Sequence, residues 1–229
     1  MGTRRIWEID LLRTMAILLM ASFHIVFDLN EFAGIDIDYL SGFWYWAGKA
    51  SALAFIFLAG ISSGFSNNTI KRGVRLLAFA IVITIVTYIA FREEYIRFGI
   101  LHFLGISMVL SPLLKKFNNA LLLISAIVIA VISLPLGNTL AGTSLLLPFG
   151  VMYRGFETLD YYPLIPYLSV FMIGIFVYKI YYYRKQSLFK LNYENQYIST
   201  ISKNSLLIYL LHQPIIAATI FLLNRQINI

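Results

Sequence analysis

The chain has no cysteine, which excludes disulfides, thiolate nucleophiles and thiolate metal sites together. Any covalent chemistry must use another side chain. Charge is scarce: Asp, Glu, Lys and Arg make up 13% of the 229 residues, against about a quarter in a soluble domain. Long polar stretches are missing, and with them any separate soluble domain. The alternating pattern of membrane barrel strands is also absent, and no internal repeat is evident, which counts against an inverted-repeat transporter. Histidine is limited to three copies. No RNA- or DNA-binding module is present, so the net charge of +7 does not point to nucleic acid. Arg13 breaks the apolar core that a signal peptide would need, and no small-x-small cleavage site follows. Gly2 is not followed by Ser or Thr at position six, as myristoylation requires.

Apolar residues are abundant: 59% of the chain is hydrophobic and 16% aromatic, with a mean hydropathy of +0.77. This is the composition of an integral, multi-pass membrane protein, an all-α bundle in the lipid bilayer. About seven spans are predicted, at 9–28, 43–65, 73–91, 98–114, 119–136, 163–183 and 203–223, forming a single membrane-embedded domain over 1–229. Arg4, Arg5, Lys71, Arg72, Arg75, Lys115, Lys116, Arg184, Lys185 and Lys190 then fall on one side. By the positive-inside rule that side, with the amino terminus, is cytoplasmic. The other side collects Glu31, Asp36, Asp38, Glu93, Glu94, Glu157 and Asp160, with Arg92, Arg97, Arg154 and Arg225 as its cations. The stretch from Gly137 to Tyr162 is long for a loop. Around 140–160 it is expected to re-enter the membrane or to cover a site.

The first span carries four ionisable residues, which are costly in a bilayer. At about 100° per residue, His24 lies about 20° from Arg13, and Asp10 and Asp28 about 60° from it, so one narrow arc holds all four. A buried polar site is the expected reason. His24 and Asp28, spaced i, i+4, suit a base oriented by a carboxylate; the alternative is that Asp28 merely ends the span. Asp10 and Arg13, spaced i, i+3, either neutralise each other or join Lys71, Arg72, Arg75 and Lys203 in a cytoplasmic cluster suited to phosphates. A rise of about 1.5 Å per residue puts roughly 16 Å between Arg13 and His24, so one helix face links the two halves of the membrane.

His102 stands between Gly99 and Gly105, which allow close approach of a helix or a ligand. In the last span Ser205, Tyr209 and His212 share a face, and Gln213 and Pro214 are expected to end or kink the helix. Lys49 lies on one stripe with Gly60 and Ser63 and either snorkels outward or contacts substrate. No metal site is expected.

Asp10-x-x-Arg13 with His24 eleven residues on resembles the first-span pattern of acyltransferase-three type membrane proteins. A closer likeness is to the heparan-α-glucosaminide N-acetyltransferase catalytic domain and its prokaryotic relatives. It is carried by IDLLRTMAILLM in the first span, FIFLAGISSGFS in the second, RFGILHFLGIS in the fourth and KNSLLIYLLHQP in the seventh. The resemblance implies an acetyltransferase of a prokaryotic plasma membrane that takes acetyl from cytoplasmic acetyl-CoA and passes it to an amine or hydroxyl of a glycan or small-molecule acceptor outside. Under it, Asp10, Arg13, Lys71, Arg72, Arg75 and Lys203 hold the donor's phosphates, and His24, oriented by Asp28, deprotonates the acceptor. His102, or Tyr209 with His212, polarises the thioester carbonyl or positions the acceptor, while Lys49, Ser205 and Gln213 contact the acceptor. The family likeness and the glycine-rich faces also suggest a homodimer. The loop before the second span has no histidine, a departure from the animal enzyme. The competing reading is a small-solute transporter or flippase lined by the same polar stripe; a structural membrane subunit does not explain so many buried ionisable groups.

Overall fold

A computed structural model describes residues 6–137, 139–189 and 195–227. Arg4, Arg5, Lys190 and the Arg225 side chain, all in the predicted topology, lie outside the described residues. The protein is an all-α polytopic bundle. In chain order the helices are α1 (Trp7–Ala33), α2 (Gly42–Gly64), α3 (Thr69–Ala90), α4 (Ile100–Leu114), α5 (Asn119–Leu136), α6 (Leu164–Val177), α7 (Gln196–Lys203) and α8 (Ser205–Ile227). Helix α6 runs on into a π-helical turn, Tyr178–Tyr182. Six helices among the described residues are long and apolar enough to cross a membrane, whereas α4, at 15 residues, is shorter.

Helix ends depart from the sequence reading at three places. Asp28 does not end the first span: α1 continues to Ala33 and stops at Gly34, whose φ of +67° is left-handed and whose N–H bonds back to Leu29 O, a glycine C-cap. The predicted last span divides at Asn204, which leaves Lys203 at the end of the short helix α7. Pro214 does not end α8, which continues to Ile227; flanking turns hold the helix while the ring removes one backbone donor.

The chain forms two compact units. The first comprises Met1–Phe55 and Ser187–Ile229, the second Ile56–Gln186. In the first, α1 packs along α8 and against α7. Gly48 of α2 lies under the Phe23 ring, where a Cβ would come within 2.8 Å of a ring carbon.

In the second unit α3 packs on α4, and α5 and α4 on α6. Small residues allow the backbones to approach closely. A Cβ on Gly60 would lie 2.2 Å from Phe171 O, one on Gly174 2.2 Å from Phe57 O, and one on Gly73 2.6 Å from Gly105 O. Two lysines cap neighbouring helices. Lys115 donates to Ser63 O (3.2 Å) in the last turn of α2 and to Ser66 O (3.4 Å) just beyond it, and Lys179 donates to Lys115 O and Phe117 O after α4, where cations complement the helix dipole. The outward faces of α3 and α5, with Ile81, Val82, Ile85, Ile124, Ile127 and Val131 exposed, are apolar in the way lipid contact requires.

The stretch after α5 holds two short parallel strands, β1 (Leu140–Ala141) and β2 (Met152–Tyr153), around a six-residue 3-10 turn, Ser144–Phe149. Its continuation lies against the loop before α4: Leu159 N–H donates to Glu94 O, Tyr162 N–H to Phe98 O and Thr158 Oγ1 to Tyr95 O.

Candidate functional site

Two polar clusters in the first unit stand at either end of one face of α1. At its start, Asp10 is buried and its Oδ1 accepts from Ser202 Oγ at 2.7 Å, while Arg13 Nη1 donates to the same hydroxyl at 3.0 Å. Ser202 thus bridges the aspartate and the arginine. Thr14 donates to Asp10 O and to Ile198 O of α7. Glu8, also buried, accepts from Ser187 Oγ and Leu188 N, each at 2.8 Å. The first two turns of α1 therefore grip the 187–202 segment with four polar side chains. Ser202 and Glu8 escaped the sequence reading, because nothing local distinguishes a buried serine in the polar stretch around α7. The adjacent Lys203 is exposed.

Fifteen to eighteen residues further along, α1 meets the Tyr209–Gln213 turn of α8. Gln213 Nε2 donates to Asp28 Oδ1 at 2.7 Å. Asp28 is fully buried. The His24 ring faces the His212 ring edge-on, centroids 4.8 Å apart, and Phe23 and Phe27 flank it at 5.6 and 6.4 Å. Here the expected orientation of His24 by Asp28 fails: the carboxylate is bonded to Gln213, and neither Asp28 Oδ2 nor His24 Nδ1 has a hydrogen-bond partner. The oriented imidazole is His212. Its Nδ1 lies 2.5 Å from Tyr209 O, and a carbonyl only accepts, so Nδ1 carries the proton and the neutral ring has its lone pair at Nε2. That Nε2 and Gln213 Oε1 are also buried without partners.

The structure therefore brings His24, Asp28, Tyr209, His212 and Gln213 together. Ser205 opens α8 partly buried, four residues before Tyr209. Lys49 is partly buried on α2, with its ammonium 5.7 Å from the centre of the Tyr45 ring.

In the second unit His102 has both ring nitrogens in use. Nδ1 accepts from Gly99 N–H at 3.3 Å, so Nε2 carries the proton toward Thr84 Oγ1, also at 3.3 Å, and Thr84 donates onward to Ile96 O at 2.7 Å. This histidine caps the start of α4 and ties it to α3. Asp160 supports the same helix end by accepting from Ile100 N–H at 2.8 Å. Burial raises its carboxyl to about 6, against the opposing pull of that N–H. Lys71, Arg72 and Arg75 are exposed on the first two turns of α3.

Among the described residues, no three His, Asp or Glu side chains are arranged to hold a metal ion. The chemistry available to the first unit is that of a buried base with hydrogen-bond acceptors around it, linked by one helix face to a cation. Residues 5–214 match the family described as “Heparan-alpha-glucosaminide N-acetyltransferase, catalytic”. No curated protein and no solved structure matches the chain.

Proposed function

The chain belongs to the family of heparan-α-glucosaminide N-acetyltransferase catalytic domains, and from that membership we propose that it moves acetyl from cytoplasmic acetyl-CoA to an amine or hydroxyl of a glycan or similar small acceptor on the outer side. An acetyltransferase-type activity and a membrane location follow from the family and from the six long apolar helices. Donor, acceptor and sidedness are the proposal.

The observation that carries it is the pairing of the two clusters on α1. Arg13 donates to Ser202 Oγ, and a planar guanidinium is the side chain best suited to phosphate. Toward the other end of α1, His212 Nε2 is a free lone pair fixed by the Tyr209 carbonyl. It takes the proton from the acceptor N–H or O–H as that atom attacks the thioester carbonyl carbon. The C–S bond then breaks, and the CoA sulfur recovers the proton from the imidazolium. His24, ring to ring with His212, closes the apolar wall around the reacting atoms together with Phe23 and Phe27.

The test is transfer of labelled acetyl from acetyl-CoA to an amino sugar by purified protein. His212→Ala should lower transfer by about a hundredfold or more, and Arg13→Gln should weaken acetyl-CoA binding. Full transfer by the His212 variant would remove the base, and unchanged donor affinity in the Arg13 variant would move the phosphate site elsewhere.

A further inference from the structure

The cluster where α1 meets α8 holds several buried acceptors without partners. Gln213 gives one of its two amide N–H groups to Asp28 Oδ1 and leaves Oε1 an acceptor. His212 spends Nδ1–H on Tyr209 O, which leaves Nε2 an acceptor. Asp28 Oδ2 accepts when the carboxyl is ionised, and the side chain that bears it is 0% exposed. Three buried acceptors thus stand on three side chains, Asp28, His212 and Gln213, with the His24 ring packed against that of His212. Buried polar atoms of this kind are met by a group that brings donors. A water molecule supplies two O–H donors and needs two to four polar partners. One O–H directed at His212 Nε2 and the other at Asp28 Oδ2 or Gln213 Oε1 would leave its oxygen lone pair free.

We infer that this cluster holds a nucleophilic water and that the protein, with no acceptor bound, hydrolyses acetyl-CoA to acetate and CoA. The inference rests on the reading that the donor's thioester reaches this cluster. The water oxygen forms the new bond to the carbonyl carbon while its proton passes to His212 Nε2. Collapse of the tetrahedral adduct breaks the C–S bond, and the sulfur leaves as CoA thiol with the proton from the imidazolium. Acetate carries one oxygen from solvent. Asp28 and Gln213 are positioning residues: they set the water's second O–H and therefore its lone pair.

The experiment incubates purified protein with acetyl-CoA in ¹⁸O-water without an acceptor and follows thiol release, acetate and its label. A parallel arm adds an amino sugar. The expected result is slow acetate formation with one solvent oxygen, suppressed when the amino sugar is acetylated instead. His212→Ala should lower hydrolysis at least tenfold, and Asp28→Asn should lower kcat with little change in KM. Size-exclusion profiles and melting temperatures establish that both variants are folded. If Asp28→Asn does not fold, Gln213→Glu, which retains an acceptor oxygen, is read instead and should also lower kcat. Acetylation of the amino sugar with no acetate formed in its absence overturns the hydrolysis while leaving acetyl transfer standing. Thiol release accompanied by acetylated protein and no acetate overturns the water's role, as does hydrolysis unaffected by His212→Ala. If neither acetate nor acetylated sugar forms, the underlying transfer reading fails with it.

Discussion

Gln213 on α8 donates its amide N–H to Asp28 on α1 at 2.7 Å, and so occupies the carboxylate that helical spacing alone assigns to His24. The consequence is a division of labour across two helices. Asp28 holds Gln213, the Tyr209 carbonyl holds His212, and His24 contributes its ring to His212.

Because Asp28 is fully buried, loss of its one partner leaves a carboxylate with no hydrogen bond. Gln213→Ala is expected to destabilise the protein by about 2 to 3 kcal/mol. Replacing both, as Asp28→Leu with Gln213→Leu, should cost less than Gln213→Leu alone, since no orphaned carboxylate remains. Thermal unfolding in detergent of the two single variants and the double variant measures this coupling. Strict additivity would show that the bond contributes nothing.

The stripe on α1 was legible because it depends only on a rotation of about 100° per residue. So were the apolar helices, whose length the bilayer dictates. The partners of the stripe were not, because they arrive from residues about 185 positions away: Ser202 for Asp10 and Arg13, Gln213 for Asp28. Short-range spacing makes His24 and Asp28 look like a pair, but the tertiary contact between α1 and α8 decides the bond. The break at Asn204 was hidden for a related reason. Asn204 sits in an uninterrupted run with no proline or glycine, and the turn there lets Ser202 face α1 while α8 starts afresh. His102 was identified as special from its flanking glycines, yet its role depends on Thr84, on another helix.

The crossing of α2 with α6 gives a second expectation. A methyl on Gly60 meets Phe171 O at 2.2 Å and Gly174 Cα at 3.0 Å, all backbone atoms that cannot swing away. Gly60→Ala and Gly174→Ala should each cost about 1 to 3 kcal/mol through forced separation of the helices. Gly142→Ala, which meets nothing within 4 Å, should stay within about 0.5 kcal/mol of the parent. Melting temperatures of the three variants compare them directly, and a Gly60 variant as stable as the Gly142 variant would contradict the close crossing.

Asp160 supplies a pH dependence. Its carboxyl in the folded protein is raised to about 6 from an ordinary 3.8, so between those values the folded state binds the proton that the unfolded chain has released. The stability this group contributes is fully present below about 3.8 and is lost as pH rises through about 6. Asp160→Asn keeps a carbonyl to accept from Ile100 N–H and has no proton to lose. It should therefore flatten the pH profile of unfolding between pH 4 and 6. An unchanged slope in that variant would assign the dependence to another group.

The last expectation separates the three histidines. His102 accepts from Gly99 N–H and faces Thr84 Oγ1, so its removal leaves a helix-start N–H and a partly buried hydroxyl each short of one partner. His102→Ala should destabilise the protein by about 1 to 2 kcal/mol. His102→Gln, which can still accept near Gly99 and donate toward Thr84, should recover part of that loss. His212 has the opposite profile: its Nε2 bonds nothing in the fold, so His212→Ala should lose the Nδ1 bond to Tyr209 O and the ring contacts with His24 and Tyr209, a modest effect on stability, and lose acetyl transfer. Melting temperature and transfer rate per folded molecule, measured on both variants, place each histidine on one of the two axes. A His102 variant that melts like the parent and loses transfer as completely as His212→Ala would return His102 to the chemistry.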